Sequence, residues 1–386
     1  MSDPYTNNKP LHCAVACFSG SLGGLELALL RRGAELQAHG HRVVAIVPDA
    51  PAIVRQAEML GLAVDCITPT LSYLDLPAAR KISAVFDRER VDVAVVGRTR
   101  DLSTVMLAAG RDIAVVLFQQ MQSGLNKRDW FHNRVYSRLD GCVTITERGR
   151  EEMVTTTVLA PEKISVVPAG LDMARYAPDA VPRADARARY ELPENAFVVG
   201  MVGRFDRGKG QPEFLRALGI AAAKEDGLAA DLHAIVVGQR EGDDAAYLAE
   251  LDGLRDALPF ADRVRLHPFS DDPRYAFRAL DVFVLASHCE TFGMVLQEAM
   301  ALAVPVIGTD AGGVPEIVTH DLNGLLVPPQ NVEAIADAIV TLYRDAELRG
   351  KLVEAARASA VNRYEKETLY ARFELAVRDA IARRGG

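Results

Sequence analysis

One tryptophan, five cysteines and no long apolar run occur in 386 residues, and each shortage excludes something. Cys13, Cys17, Cys66, Cys142 and Cys289 are odd in number and fall mostly in apolar, strand-like stretches, without a CxxC pair or metal-ligand spacing. A disulfide scaffold and a zinc module are therefore excluded, and buried free thiols in a reducing cytoplasm are expected. No 18-residue apolar stretch is present and residues 1–10 are polar, so neither a spanning helix nor a leader peptide is expected. The expectation is a cytoplasmic protein, at most attached to the inner face of a membrane. A net charge of −8 is not that of a nucleic-acid binder. The charge is uneven: residues 1–170 hold 19 Lys/Arg and 18 Asp/Glu, which permits contact with an anionic acceptor or surface. Also missing are a Walker A loop, HExxH, a legible Ser-His-Asp or Cys-His set, and the G-x-G-x-x-G dinucleotide fingerprint.

What is present is a long alternation. Apolar runs predicted as strands start at Leu11 and recur at 41–47, 63–67, 91–96, 113–118, 141–145 and 164–170, with helical patterns between most of them. A linker with a short helix reaches about Pro193. Strands then return at 196–203, 232–238, 264–267, 281–286 and 305–309, with helices at 211–224, 244–258, 332–345, 346–362 and 365–382. Such alternation predicts α/β architecture: two Rossmann-like, doubly wound domains facing a central cleft. The expected division is 1–170, 171–364, and a last helix, 365–386, packing back toward the first domain. Ligands of such sheets gather beyond the carboxyl ends of the strands.

The motifs fall at those ends. Ser287-His288-Cys289-Glu290-Thr291-Phe292-Gly293-Met294 leads into a helix predicted over 292–303, apolar on nearly every side yet carrying Glu298. A carboxylate there needs a partner. Gly293 lets a bound group approach the backbone, and the first-turn N–H groups suit an anion. The plain alternative is a core helix with Glu298 paired to an arginine. Gly203-Arg204-Phe205-Asp206-Arg207-Gly208-Lys209-Gly210 sets two cations, Arg204 and Lys209, before a helix. That suits a pyrophosphate, unless it is only a surface charge run. Gly20-Ser21-Leu22-Gly23-Gly24 is a glycine loop, either a phosphate cradle or close helix packing, and Asp49 after the second strand reads as a turn residue. Ala311-Gly312-Gly313 with Glu316, and 323–327, read on their own as a βα loop and a β-turn.

In this order, the segments resemble retaining glycosyltransferases of the GT-B fold, the GT4 group. The resemblance rests on Glu-x-Phe-Gly-x-x-x-x-Glu-Ala at 290–299 and Gly-Arg-x-x-x-x-Lys-Gly at 203–210, and is sharp only over 200–330. It implies that Glu290 touches the donor sugar, and that Arg204 and Lys209 with the backbone of Thr291, Phe292, Gly293 and Met294 meet the diphosphate. By the same resemblance Glu298 holds the ribose, Gly23 and Gly24 approach the diphosphate, and Glu290, Arg204 and Lys209 form the catalytic set. It implies transfer from a nucleoside-diphosphate sugar with retention, in cell-surface glycan or lipopolysaccharide synthesis, without metal or cofactor. No Asp-x-Asp metal motif is present.

Two departures matter. Ala169 replaces the asparagine of the family's hinge motif. Gln119-Gln120 stand where many members carry a histidine, so that role is not carried over. Arg98 and Gln120 are placed on the acceptor side, facing a glycan, a lipid-linked or a small hydroxyl acceptor. The basic run Lys127, Arg128, Arg134, Arg138, Arg148 and Arg150 reads as solvated, and His132 as a surface or packing residue. Helices near both termini permit a homodimer. Other readings stay open: a nucleotide-sugar epimerase or sugar phosphorylase of the same architecture, a nicotinamide-dependent dehydrogenase, and a non-catalytic nucleotide-sugar-binding protein.

Overall fold

The structure, a computed structural model, describes residues 9–121, 124–238, 245–269 and 272–385. The chain divides into two compact units, Met1–Pro168 with Glu367–Gly386, and Ala169–Lys366. Gln122, which follows the Gln119-Gln120 pair, and Asp244, the predicted start of a helix, lie outside the described residues.

The first unit holds β1 (His12–Ala16), β2 (Arg42–Val47), β3 (Ala63–Cys66), β4 (Val93–Val96), β5 (Ala114–Gln119), β6 (Gly141–Thr144) and β7 (Ile164–Val166). They form one parallel sheet ordered β3-β2-β1-β4-β5-β6-β7. Runs such as Val93-Ala94-Val95-Val96, buried throughout, are apolar at every position because helices cover both faces of a parallel sheet. The last helix, Lys366–Gly385, is part of this unit's packing. Phe373 meets Phe118 edge-on at 5.9 Å, and Tyr370 stacks on His39 at 3.5 Å.

The second unit holds β8 (Phe197–Val202), β9 (Leu232–Gly238), β10 (Val264–Pro268), β11 (Val282–Leu285), β12 (Val306–Thr309) and β13 (Leu325–Val327). Its parallel order is β10-β9-β8-β11-β12-β13. Strand order reverses between β1 and β4 in one unit and between β8 and β11 in the other. Those are the switch points where open α/β sheets form crevices.

Several expectations are corrected. Residues 323–327 are not just a turn. Asn323 makes the turn, accepting from the Thr319 N–H at 2.7 Å, and β13 follows as an edge strand paired with β12. The strand expected to reach Gly170 ends at Val166. Cys66 and Cys289 are exposed, while Cys13, Cys17 and Cys142 are buried. Burial pushes the Cys13 and Cys17 thiols up to about 12. In the basic run, Arg128 is not simply solvated: its guanidinium donates to the Thr157 and Val154 carbonyls at 3.1 and 3.0 Å. Lys127 is half-buried.

One brace of the first unit carries a pH signature. Asp75 caps the helix Leu76–Glu89 and accepts from the N–H groups of Ala78, Leu71 and Thr70. These bonds, that from Ala78 foremost, hold its carboxyl at about 2 against an ordinary 3.8. A depressed carboxylate stabilises the fold fully above its unfolded value and loses that contribution as pH falls toward the folded one. Asp75→Ala is thus expected to melt below the wild type at pH 7, with the gap closing between about pH 4 and pH 2. A gap independent of pH in thermal melts would show that the cap does not act through its charge.

Candidate active site

In the second unit, loops leaving β8, β11 and β12 meet at the switch point. Each is fixed where only glycine fits. Gly210, at φ +76°, starts the helix Gln211–Lys224, and a Cβ there would lie 2.0 Å from the Ala286 carbonyl oxygen. Gly312, at φ +64°, would place a Cβ 1.8 Å from the Glu290 carbonyl oxygen, which accepts the Gly313 N–H at 2.8 Å. The His288 N–H donates to the Gly208 carbonyl at 2.9 Å. The β11 loop is thus gripped from both sides by main chain.

Lys209 ends a short 3₁₀ turn capped by Asp206, whose carboxylate accepts the Gly208 N–H at 2.8 Å. Its Nζ lies 2.6 Å from Oε2 of Glu290, with the side chains 24% and 16% exposed. Ser287, fully buried, donates to the same Oε2 at 3.4 Å. Buried Thr309 in turn donates to the Ser287 carbonyl at 2.6 Å. A poorly hydrated ion pair of this kind is a strong local constraint, because either charge left alone would be costly. Arg204 is exposed at the end of β8. Its carbonyl accepts from buried Gln211 at 2.7 Å, and Gln211 accepts from the Tyr247 hydroxyl at 2.7 Å. Arg207, the third cation of the loop, pairs with Glu250 at 2.6 Å and lies over the Tyr247 ring.

The helix after Glu290 is shorter than expected. Gly293, at φ +97°, stands outside as its N-cap, and the helix runs Met294–Ala301. Thr291 is half-buried, Phe292 packs edge-on against Tyr364 at 6.1 Å, and Met294 is exposed at the first turn. Glu298 is half-buried in the helix's second turn and accepts a hydrogen bond from the Tyr176 hydroxyl at 2.9 Å. Tyr176 is thus one partner of this carboxylate. Glu316 lies on the 3₁₀ turn after Gly313, where its carbonyl accepts from Arg363. The structure brings Arg204, Lys209, Glu290 and the 291–294 segment to one end of one sheet.

Tyr176 and His288 were not singled out by sequence. His288 bonds to Glu213 at 3.0 Å and Gln330 at 3.2 Å. The only available signal for His288 was its place inside the 287–294 stretch, and Tyr176 lies in none of the motif stretches.

The first unit offers its own switch point. Gly23 is the N-cap of the helix Gly24–Ala38, and the buried Glu26 carboxylate accepts the Gly23 N–H at 2.9 Å. Glu26 therefore acts as a capping residue, and the Gly23 N–H is engaged within the loop. Arg98, after β4, is half-buried near Asp101. Burial pushes the Asp101 carboxyl up, while its oxygen accepts the Phe18 N–H at 3.0 Å. Gln120, after β5, donates to the Leu25 carbonyl at 3.1 Å. His132 bonds to Asp129 at its own helix start, away from any motif.

Two doubly wound, all-parallel units define the class, and solved structures of that class match the chain along its length. A glycosyltransferase from Rickettsia africae ESF-5 covers 96% of this chain and 98% of its own at TM-score 0.83, with 18% identity. Anabaena Alr3699/HepE in complex with UDP covers 95% and 100% at TM-score 0.83, with 22% identity. The fold is GT-B. The model for Glycosyltransferase Family 4 matches residues 22–175 and that for Glycosyl transferases group 1 matches residues 182–359, and the chain belongs to this glycosyltransferase family. Among curated relatives, the D-inositol 3-phosphate glycosyltransferase of Salinispora tropica is 32% identical over 235 residues, 59% of this chain and 49% of that protein. The protein of the same name from Kineococcus radiotolerans is 32% identical over 265 residues, 65% of this chain and 61% of its own. The matched stretch thus spans about half the length of these relatives.

Proposed function

We propose that the protein is a retaining, metal-independent glycosyltransferase that moves a sugar from a nucleoside-diphosphate sugar to a hydroxyl acceptor. The observation that carries this reading is the Lys209–Glu290 pair, 2.6 Å apart, at the β8/β11 switch point beside Arg204 and the Met294 helix start. Two cations and the N–H groups of Met294 and Val295 at the helix start stabilise charge that builds on a departing diphosphate, fixed in place before reaction. Glu290, held by Lys209 and Ser287, faces the hydroxyls of the donor sugar. Glu298, steadied by Tyr176, takes the ribose hydroxyls. The bond from the anomeric carbon to phosphate breaks as that from the acceptor oxygen forms on the same face. The departing diphosphate oxygen takes the acceptor's proton, so no side chain is assigned as general base.

The donor in Anabaena Alr3699/HepE, solved with UDP and with UDP-glucose, favours a uridine nucleotide here. Arg98 and Gln120 stand on the acceptor side. The acceptor class is a glycan, lipid-linked or small-molecule hydroxyl, used in cell-surface glycan or lipopolysaccharide synthesis by a cytoplasmic enzyme.

A thermal-shift series against UDP, GDP, ADP, their sugar conjugates and NAD(P), with and without EDTA, tests the reading. A ligand at a hundred times its Kd stabilises the folded state by about 2.7 kcal/mol. The expected result is a shift with one nucleoside diphosphate that survives EDTA and is lost in Arg204→Ala. A shift only with NAD(P) would overturn the reading, and free nucleotide released without an acceptor would point to an epimerase or phosphorylase.

A further inference from the structure

Trp130, the chain's single tryptophan, is 79% exposed, more than any other large hydrophobic side chain among the described residues. It opens the helix Trp130–Tyr136 after β5. Its neighbour Phe131 meets Tyr73 edge-on at 6.2 Å, which joins it to the loop after β3. In that loop Leu71, Tyr73 and Leu74 are 61%, 44% and 45% exposed.

This outward display is not the result of a loose loop. Buried Asp75 accepts from the N–H groups of Thr70 and Leu71, its own N–H donates to Thr104 at 3.1 Å, and Tyr73 is held at φ +70°. A braced loop that holds a tyrosine in a disfavoured conformation to expose leucines marks an interaction surface.

Charge tells what covers it. The Arg100 guanidinium lies 5.9 Å over the Tyr73 ring, and Arg134 and Arg138 are exposed on and just after the Trp130 helix. Two of the three carboxylates of the same segments turn inward, and the third, Asp129, is exposed but engaged by its own helix start and His132. Asp75 braces the loop, Asp101 is buried on the Phe18 N–H, and Asp129 caps Phe131 and His132. An apolar face with amphipathic rings and a rim of exposed arginines suits a bilayer, with the rings at headgroup depth and the guanidinium groups on lipid phosphates. A second copy docked on the same face would set these cations against their own equivalents.

We propose that the 70–76 loop and the start of the Trp130 helix form a docking face that seats the first unit on an anionic bilayer. This stands independently of the transferase reading, since it needs no turnover.

Trp130 reports on the face directly. Emission and acrylamide quenching are measured on the full chain with phosphatidylcholine vesicles and with vesicles containing phosphatidylglycerol. The expected result is a blue shift and protection with the anionic vesicles only, both reversed by salt. Leu71→Ser/Leu74→Ser is expected to weaken partitioning by about tenfold or more, while leaving the nucleoside-diphosphate thermal shift unchanged. Unaltered Trp130 emission in anionic vesicles at low salt would overturn the proposal, whether or not the variant folds. So would a blue shift that follows protein concentration without vesicles, which would mark a second copy as the occupant.

Discussion

Replacing Lys209 with methionine is expected to lower kcat/KM by roughly 10²–10³-fold, the usual cost of removing one preorganised group that meets developing charge. Lys209 serves the site twice in the proposed reaction, neutralising the departing diphosphate and holding Glu290 at 2.6 Å. Its loss therefore frees Glu290 as well as removing a charge. Glu290→Gln in the Lys209→Met background should cost much less than it does alone, because groups that act as a unit are not additive. Glu298→Ala is expected to lose at least about tenfold through weaker donor binding. Unchanged kcat/KM in both Lys209→Met and Glu298→Ala would remove the site assignment. Additive losses in the double variant would leave the residues in place but deny that they work as a pair.

Gly312→Ala is expected to damage both stability and donor binding, although it adds a single methyl group. The new Cβ would sit 1.8 Å from the Glu290 carbonyl oxygen, at φ +64°. The left-handed backbone alone costs roughly 1–2 kcal/mol in a residue with a side chain. Relieving the clash also breaks the Gly313 N–H bond to Glu290, which contributes about 1 kcal/mol. A lowered Tm and a donor Kd raised tenfold or more are expected together, because the main chain that would move carries Glu290. Gly253→Ala is the control. Gly253 lies in the helix Ala245–Asp256, where a Cβ meets nothing within 4 Å, and alanine there should stabilise by about 0.5–1 kcal/mol. Equal effects from the two substitutions would show that the Gly312 turn does not grip the site.

The fold was legible where burial is two-sided. Phe197–Val202 is apolar along its length, and Leu232–Gly238 everywhere but at His233, because helices cover both faces of their sheet, and such runs stand out in sequence. Leu325–Val327 was hidden, since three residues carry no periodicity and the Asn-Gly before them signals a turn. The site was legible as motifs: the cations of 203–210 and the carboxylates of 290–299 share one end of one sheet. Its wiring was not. The bond from Tyr176 to Glu298 joins residues 122 positions apart, and the approach of Gly312 to Glu290 is a main-chain contact that no side-chain pattern announces. The first unit was less legible for a related reason. The Gly23 N–H, read as open to a ligand, is taken by Glu26, and capping boxes and phosphate loops draw on the same residue types.

The first unit is completed by a piece of chain made after the second unit. Its sheet is built by Val166, yet Glu367–Gly386 belongs to it, with Phe373 against Phe118 and Tyr370 against His39. On the ribosome, the sheet must wait for the whole of Ala169–Lys366 to be synthesised, roughly 10–40 s at about 5–20 residues per second. During that interval the groove awaiting Phe373 is open, and Phe118 and the Arg32 guanidinium are its uncovered floor. The second unit, continuous in sequence, has no such wait and can close first. The order of maturation is thus the reverse of the order of synthesis, and chains cut short just after Lys366 leave the ribosome with one finished half and one permanently open.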